Sequence, residues 1–372
     1  MRDAVSEKIV RRLLASADVR VNGNRPWDIL VFDDRFYPRV LKEGSLGLGE
    51  SFMDGWWDSA ELDNFFCKVS ASGIESRAAW NWRSFLLYLK SLLSNTQTKS
   101  RSAKSIERHY DLGNDLFSSM LDRRMMYSSG LWKNASDLAD AQQANLDFVC
   151  RALDLRPGMT LLDIGCGWGG LAQYAAMHFG AHVTGVTLSR EQLALARKFC
   201  ADLPVELRLQ DYRDIRNYFD RVVSVGMFEH VGLKNYREYF KLVRSVLSET
   251  GKFFLATIGS DQSGRSTDPW FDRYIFPGSH LPSARQIESA TRGIFCAQRN
   301  EDWASDYDKT LMAWFRNFNE HWFSLRAKYG DRFYRMWKFY LLASAGCFRS
   351  HRLHVWEILL SPERQASPAH AA

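Results

Sequence analysis

The chain has 372 residues, 46% of them hydrophobic and 25% charged, a globular balance that excludes a largely disordered polymer. The formal net charge of +6 suits an anionic bilayer surface or plain solubility, and does not by itself call for a nucleic acid. No run of about 18 apolar residues occurs and MRDAVSEKIVRRLL has no signal-peptide core, so the expectation is a cytoplasmic protein whose membrane contact is peripheral.

In chain order, residues 1–94 form a first block. It opens on an amphipathic helical pattern (Ile9, Leu13, Leu14), turns at Asn22 and Gly23, and reaches GSLGLGESFMDGWW at 44–57, which reads as a packed turn region. Residues 95–105, NTQTKSRSAKS, are polar and basic and make the best linker. From 157 onward strands and helices alternate. TLLDIGC (160–166) is a buried strand and 170–179 a helix. HVTGVTL (182–188) is a strand, then 189–200 a helix with Ser189 as N-cap. VELRLQD and RVVSVGM are strands, 234–247 a helix and GKFFLATI a strand. This alternation predicts a doubly wound α/β sheet. Residues 260–350 are aromatic-rich and mostly helical in pattern, a lid insertion before a last strand at 351–361. The six cysteines have no metal-ligand spacing, so no metal is expected and a reduced compartment fits.

The strongest motif is DIGCGWGG, 163–170, after an apolar strand and before a helix. Gly165, Gly167 and Gly169 let the backbone approach a ligand at the strand's carboxyl end. The spacing differs from the dinucleotide pattern G-x-G-x-x-G, which disfavours a nicotinamide or flavin cofactor.

DIGCGWGG resembles the first motif of class I S-adenosylmethionine methyltransferases, with their Rossmann-like sheet. Five segments in order then resemble the cyclopropane-fatty-acid synthase family in its longer bacterial form: LGLGESFMDGWW (46–57), HYDLGNDLF (109–117), LDIGCGWGG (162–170), VSVGMFEHVG (223–232) and DYDKTLMAWF (306–315). The resemblance spans nearly the whole chain. It implies an N-terminal α+β domain (1–94) for lipid engagement and dimerisation, the linker, and a methyltransferase domain (106–372) with its lid at about 260–350. It implies a homodimer, S-adenosylmethionine as cofactor, and an unsaturated phospholipid as substrate. The alkene takes the sulfonium methyl, a carbocation forms, and a base, in the family a bound bicarbonate, removes a proton so that the ring closes.

The resemblance also assigns residues. The glycine turn and Asp163 would meet the methionine part of the cofactor. Thr187, Leu188 and Gln192 would meet the ribose, Gln210, Asp211 and Tyr212 the adenine, and Tyr127 and Ser128 would close over it. Glu229, Tyr307 and the backbone of Ile258 match the family's bicarbonate ligands. Two others depart: the family's cysteine is Ser129 and its histidine is Ala256. A hydroxyl still donates a hydrogen bond. The missing histidine removes a donor worth roughly 1.5–3 kcal/mol to a charged group. A further family cysteine is Ser344 here, with Cys347 one turn beyond. These departures keep open a methyl-branched or methylene-bearing lipid product, or another alkene acceptor such as an isoprenoid.

The lid aromatics Trp270, Tyr274, Phe276, Trp303, Tyr307, Trp314 and Phe315 suit a cation, though more than half are expected to be core. His230 reads as structural, and His109 and Tyr110 as lining or local packing. Arg11, Arg12, Lys42, Lys99, Arg101 and Lys104 offer contacts to lipid phosphate or a solvated face. A nucleic-acid methyltransferase would want an N/D-P-P-Y type segment where this chain has GMFEH, so no nucleic acid is expected.

Overall fold

The computed structural model describes residues 2–74, 112–261 and 268–363. The 95–105 linker, the boundary at 94, His109 and Tyr110 lie outside the described residues.

The C-terminal part is built on one seven-stranded sheet. Its strands are β3 (Thr160–Ile164), β4 (His182–Thr187), β5 (Val205–Leu209), β6 (Phe219–Val225), β7 (Leu247–Gly259), β8 (Phe295–Asp302) and β9 (His354–Pro362), in the order β5-β4-β3-β6-β7-β9-β8. Pairing is parallel from β5 to β7 and antiparallel around β9. The parallel strands are near-continuous apolar runs because both faces are covered. Helices α6 (Leu138–Ala152) and α7 (Gly170–Phe179) bury Leu146, Val149, Leu171 and Ala175 on one face. On the other, α9 (Tyr236–Val246) and α11 (Ala284–Thr291) bury Tyr239, Phe240, Val243 and Ile287. Helix α8 (Arg190–Phe199) starts at Ser189, whose side chain caps it by accepting from the Gln192 amide, as expected. The chain order reverses at β3, between β4 and β6, which opens a crevice beyond the strands' carboxyl ends.

The first block comprises α1 (Arg2–Ala15), a two-strand ladder of β1 (Leu30–Val31) and β2 (Trp57–Asp58), α2 (Phe36–Glu43), α3 (Ser45–Met53) and α4 (Leu62–Ser72). It packs against the insertion helices α12 (Ala304–Tyr329) and α13 (Asp331–Arg349) through one apolar core containing Phe52, Trp57, Phe66, Trp337 and Phe339. Short helices α5 (Asn114–Met120) and α10 (Pro269–Tyr274) complete the described elements.

One expectation is corrected. Residues 44–57 are mostly helical, as α3, and not a turn region. Its glycines serve contact: a Cβ on Gly49 would collide with the indole of Trp270 in α10. Residues 260–350 are mostly helical, as expected, but strand β8 within them was not foreseen. That strand is at the sheet's edge, exposed along most of its length, and its sequence QRNED has no apolar alternation to betray it. Smaller shifts follow from turns: α9 begins at Tyr236 because 233–235 form a 3-10 turn, and β9 begins at His354.

Candidate active site

Strand β3 delivers Asp163 and the turn after it. Gly165, Gly167 and Gly169 all have positive φ (85°, 53° and 84°). Nothing lies within 4 Å of where a Gly167 Cβ would be, so this turn presents bare backbone to open space. Around it runs a pocket lined by Tyr127, Ser128, Asp163, Gly165, Gly167, Thr187, Leu188, Gln192, Gln210 and Tyr212. Every one of these was expected from the sequence.

Two expected residues do not line it. A Cβ on Gly169 would meet Cys200 Sγ at 3.1 Å and Ala196 Cβ at 3.2 Å, so this glycine lets α7 approach α8. Asp211 is spent on bracing: it accepts from the Arg213 amide at 2.9 Å and from Arg213 Nη2 at 2.6 Å. Arg213 takes the place at the pocket.

Asp163 is 3% exposed and its Oδ2 has no partner. Burial alone pushes its carboxyl up to about 7. A buried acid at the head of a bare glycine turn lacks a cation. Thr187 Oγ1 donates to Gln192 Oε1 at 2.9 Å, which leaves the Gln192 N–H groups as the amide's donors beside the pocket. The strip 127–130 closes the other side. Tyr127 shares a 2.7 Å hydrogen bond with the Tyr340 hydroxyl, and its ring lies 5.0 Å from Trp314. Gln142 of α6 holds Ser128 O at 2.8 Å, Asn145 holds Ser129 O at 2.6 Å, and Thr310 of α12 accepts from the Gly130 amide at 3.0 Å.

Beside the pocket sits a buried acid on a 3-10 turn (Phe228–His230) after β6. Glu229 is 5% exposed, its Oε1 accepts from the Ile258 amide at 2.6 Å, and its Oε2 has no partner. Burial pushes its carboxyl up to about 7, against the pull of the Ile258 N–H. Ser129 is buried and its hydroxyl donates to Gly130 O at 3.0 Å. Two donors expected to serve an anion, the Ser129 hydroxyl and the Ile258 amide, are thus occupied within the protein. Tyr307 is buried in the first turn of α12, its ring 5.7 Å from Trp314 and 4.7 Å from Phe348. Ala256 is buried on the same face of β7 as Phe254. Ser344 is buried in α13 and Cys347 is half-buried there.

His230, read from sequence as structural, lines the pocket. Burial lowers it to about 4, so it is neutral, and its Nδ1 has no partner. Sequence reasoning also missed Gly226, Met227 and Arg213. The first two follow the strand beside β3, and the rule that ligands sit at the carboxyl ends where strand order reverses would have found them. Met125, also in the lining, has φ 57° and no legible signal. Among the lid aromatics, Trp270, Trp303, Tyr307 and Trp314 are core, as expected for more than half. Among the described residues no cluster could hold a metal ion, and no helix is long and apolar enough to cross a membrane.

The family model for mycolic acid cyclopropane synthetase matches residues 97–358. The chain is 48% identical over 354 residues, 95% of its length and 93% of the relative's, to the cyclopropane-fatty-acyl-phospholipid synthase of Escherichia coli. It is 33% identical, over 89% of its length and 82% of the relative's, to the tuberculostearic acid methyltransferase UfaA1 of Mycobacterium tuberculosis. Among solved structures it is similar to the cyclopropane synthase MmaA2 from Mycobacterium tuberculosis (TM-score 0.66, 27% identity, 73% of this chain and 100% of that one). It is also similar to the mycolic acid cyclopropane synthase CmaA1 complexed with SAH and CTAB (TM-score 0.66, 28% identity, 70% and 98%). By the family model over 97–358 and the 48% identity over 95% of its length, the chain belongs to the mycolic acid cyclopropane synthetase family.

Proposed function

We propose that the protein transfers a one-carbon unit from S-adenosylmethionine to the double bond of an unsaturated phospholipid acyl chain and closes a cyclopropane ring. The observation that carries this reading is the adjacency of two features. A bare glycine turn with an unpartnered buried acid, Asp163, opens on one side of β6, and Glu229, with an unpartnered carboxyl oxygen, sits on the turn that ends it. The 48% identity to a cyclopropane-fatty-acyl-phospholipid synthase over nearly the whole chain supports the choice of substrate.

The residues present fit the cofactor. Asp163 would take its ammonium, Gln192 its ribose hydroxyls, Gln210 and Tyr212 its adenine, and Tyr127 and Ser128 would cover it. Bound there, it supplies an electrophilic methyl. The residues also fit a bicarbonate, whose chemistry is that of a base. Its single O–H would meet the free oxygen of Glu229, while Tyr307, Ser129 and the Ile258 amide face its oxygens, the last two after exchanging their present partners. The protein's own part is to exclude water and to surround the substrate with aromatic rings, of which Tyr127, Tyr307 and Trp314 form a contiguous set. Such faces stabilise a desolvated cation by about 2 kcal/mol.

Peripheral binding at the inner face of the membrane fits the apolar groups that the first block exposes, Val5, Leu30 and Phe32, the last 67% exposed. Arg11, one of its basic residues, is tied to Glu7 at 2.8 Å. We infer a homodimer from the family alone. The test is mass spectrometry and gas chromatography of lipids after incubation with S-adenosylmethionine and monounsaturated phospholipid vesicles. The expected product is one CH2 heavier and resists hydrogenation. A methyl-branched or methylene-bearing chain of that mass, or no lipid product, would overturn the ring-closing assignment.

A further inference from the structure

Ala256 carries only a methyl where the resemblance calls for a histidine, and the strand beside it carries a carboxyl in register. Ala256 of β7 pairs in register with Glu357 of β9, which pairs in turn with Glu301 of β8. Residues directly opposite share a face, with Cβ atoms about 4.5–5.5 Å apart. Strand alternation puts Phe254, Ala256 and Ile258 on that face of β7, and Glu357 and Leu359 on that face of β9. Phe254, Ala256 and Leu359 do share one apolar cluster under α6.

Glu357 is 3% exposed, and its Oε2 has no partner. Burial, reinforced by the like charge of Glu301, raises its carboxyl well above the usual range. That shift favours the carboxylic acid form, whose O–H can donate a hydrogen bond. On the helix that covers this face, Asn145 lies one turn before Phe148 in α6, and the Phe148 ring sits 6.1 Å from Phe254. Asn145 holds Ser129 O, and its own Oδ1 is buried without a partner. Two buried polar groups thus border this apolar layer, the Asn145 amide that holds Ser129 and the Glu357 carboxyl in register with Ala256.

We propose that Glu357, reaching across from β9, supplies the hydrogen-bond donor that Ala256 cannot, and is an anion-binding residue of the site. The inference rests on the ring-closing reading. It makes the chain's departure at 256 a relocation of the donor from one strand to the next.

The test compares full-length Glu357→Leu, Glu357→Met and Glu357→Gln with the parent. Two quantities are read: the melting shift that sodium bicarbonate causes, at fixed ionic strength against chloride, with S-adenosylhomocysteine present, and the bicarbonate dependence of turnover. The leucine variant is expected to lose the shift and to need on the order of tenfold more bicarbonate. The methionine variant, closer in volume, gives the same answer if leucine prevents folding. The glutamine variant, whose amide still donates, is expected to stay within about threefold of the parent. Adding Ala256→His to the leucine variant is expected to restore the shift. A leucine variant with the parent's shift, a glutamine variant as impaired as leucine, or a parent with no bicarbonate shift would each overturn the proposal. A bicarbonate shift that depends on Glu357 in a protein that makes no cyclopropane would instead remove the ring-closing reading and leave the anion site standing.

Discussion

Glu229 Oε1 accepts the Ile258 amide proton at 2.6 Å, which ties the turn after β6 to the carboxyl end of β7 through a buried acid. Burial raises this carboxyl from 4.5 to about 7. Below 4.5 both folded and unfolded forms are protonated. Between 4.5 and 7 the folded form binds more protons, so stability falls as pH rises through that window. The full penalty is on the order of 3 kcal/mol. Glu229→Gln keeps an oxygen for the Ile258 amide and carries no charge. Its melting temperature is therefore expected to exceed the parent's at pH 8 and to approach it at pH 5, while product formation falls steeply. Melting curves at the two pH values check this; an equal offset at both would contradict it.

Asp163 has the same physics and a different consequence. Its carboxyl, held at about 7 by burial, should ionise when a cationic amino group docks against it. Cofactor affinity is then expected to rise on the order of tenfold between pH 5.5 and 7 as the folded acid deprotonates. Asp163→Asn should bind weakly and with little pH dependence over that range. Calorimetric titration with S-adenosylhomocysteine reads both, and proton release on binding to the parent is a further sign.

Gly167 has φ 53° and an empty space where a Cβ would be. Gly167→Ala should therefore cost about 1 kcal/mol in stability, from backbone strain alone. Cofactor affinity should fall further, because the new methyl stands where the ligand meets bare backbone. Comparing the loss in melting temperature with the loss in affinity separates the two. Gly169→Ala should show the opposite balance, since its Cβ would press on Cys200 and Ala196 and not on the pocket.

The sheet and the pocket at its carboxyl edge were legible because β3, β4 and β6 are short apolar runs closed by turn residues, and because one glycine motif marks the turn that lines the pocket after β3. Gly169 and Asp211 do not line that pocket, for a common reason: a motif specifies spacing, whereas the tertiary partner decides use. Cys200 claims the first and Arg213 the second. Strand β8 was invisible because a solvent-facing edge strand needs no apolar pattern. Helix α3 was hidden by its glycines, of which Gly49 serves a contact with Trp270, far away in sequence. The pairing of Ala256 with Glu357 was equally out of reach, since register between strands about a hundred residues apart is a property of the whole sheet.

Arg349, near the end of α13, offers the clearest handle on how the first block is joined to the rest. Its guanidinium reaches Asp63 Oδ2 and Asn64 Oδ1 in α4, both at 2.6 Å, and Asp308 in α12 at 2.9 and 3.0 Å. Three helices from both ends of the chain converge on one planar group, whose five donors suit such bridging. The apolar core is continuous across the same contact. Arg349→Met keeps the aliphatic bulk but leaves Asp63 and Asp308 without their shared cation. Since the arginine side chain is 29% exposed, water relieves part of the cost, and a loss of roughly 1–3 kcal/mol is expected. If the first block and the insertion helices fold as one unit, denaturant unfolding of this variant should remain a single transition with a lower midpoint. An early, separate transition confined to the first block would mean that the shared core is too weak to couple them. Cofactor affinity, set by residues on the far side of the sheet's carboxyl edge, should stay within about threefold of the parent in either case.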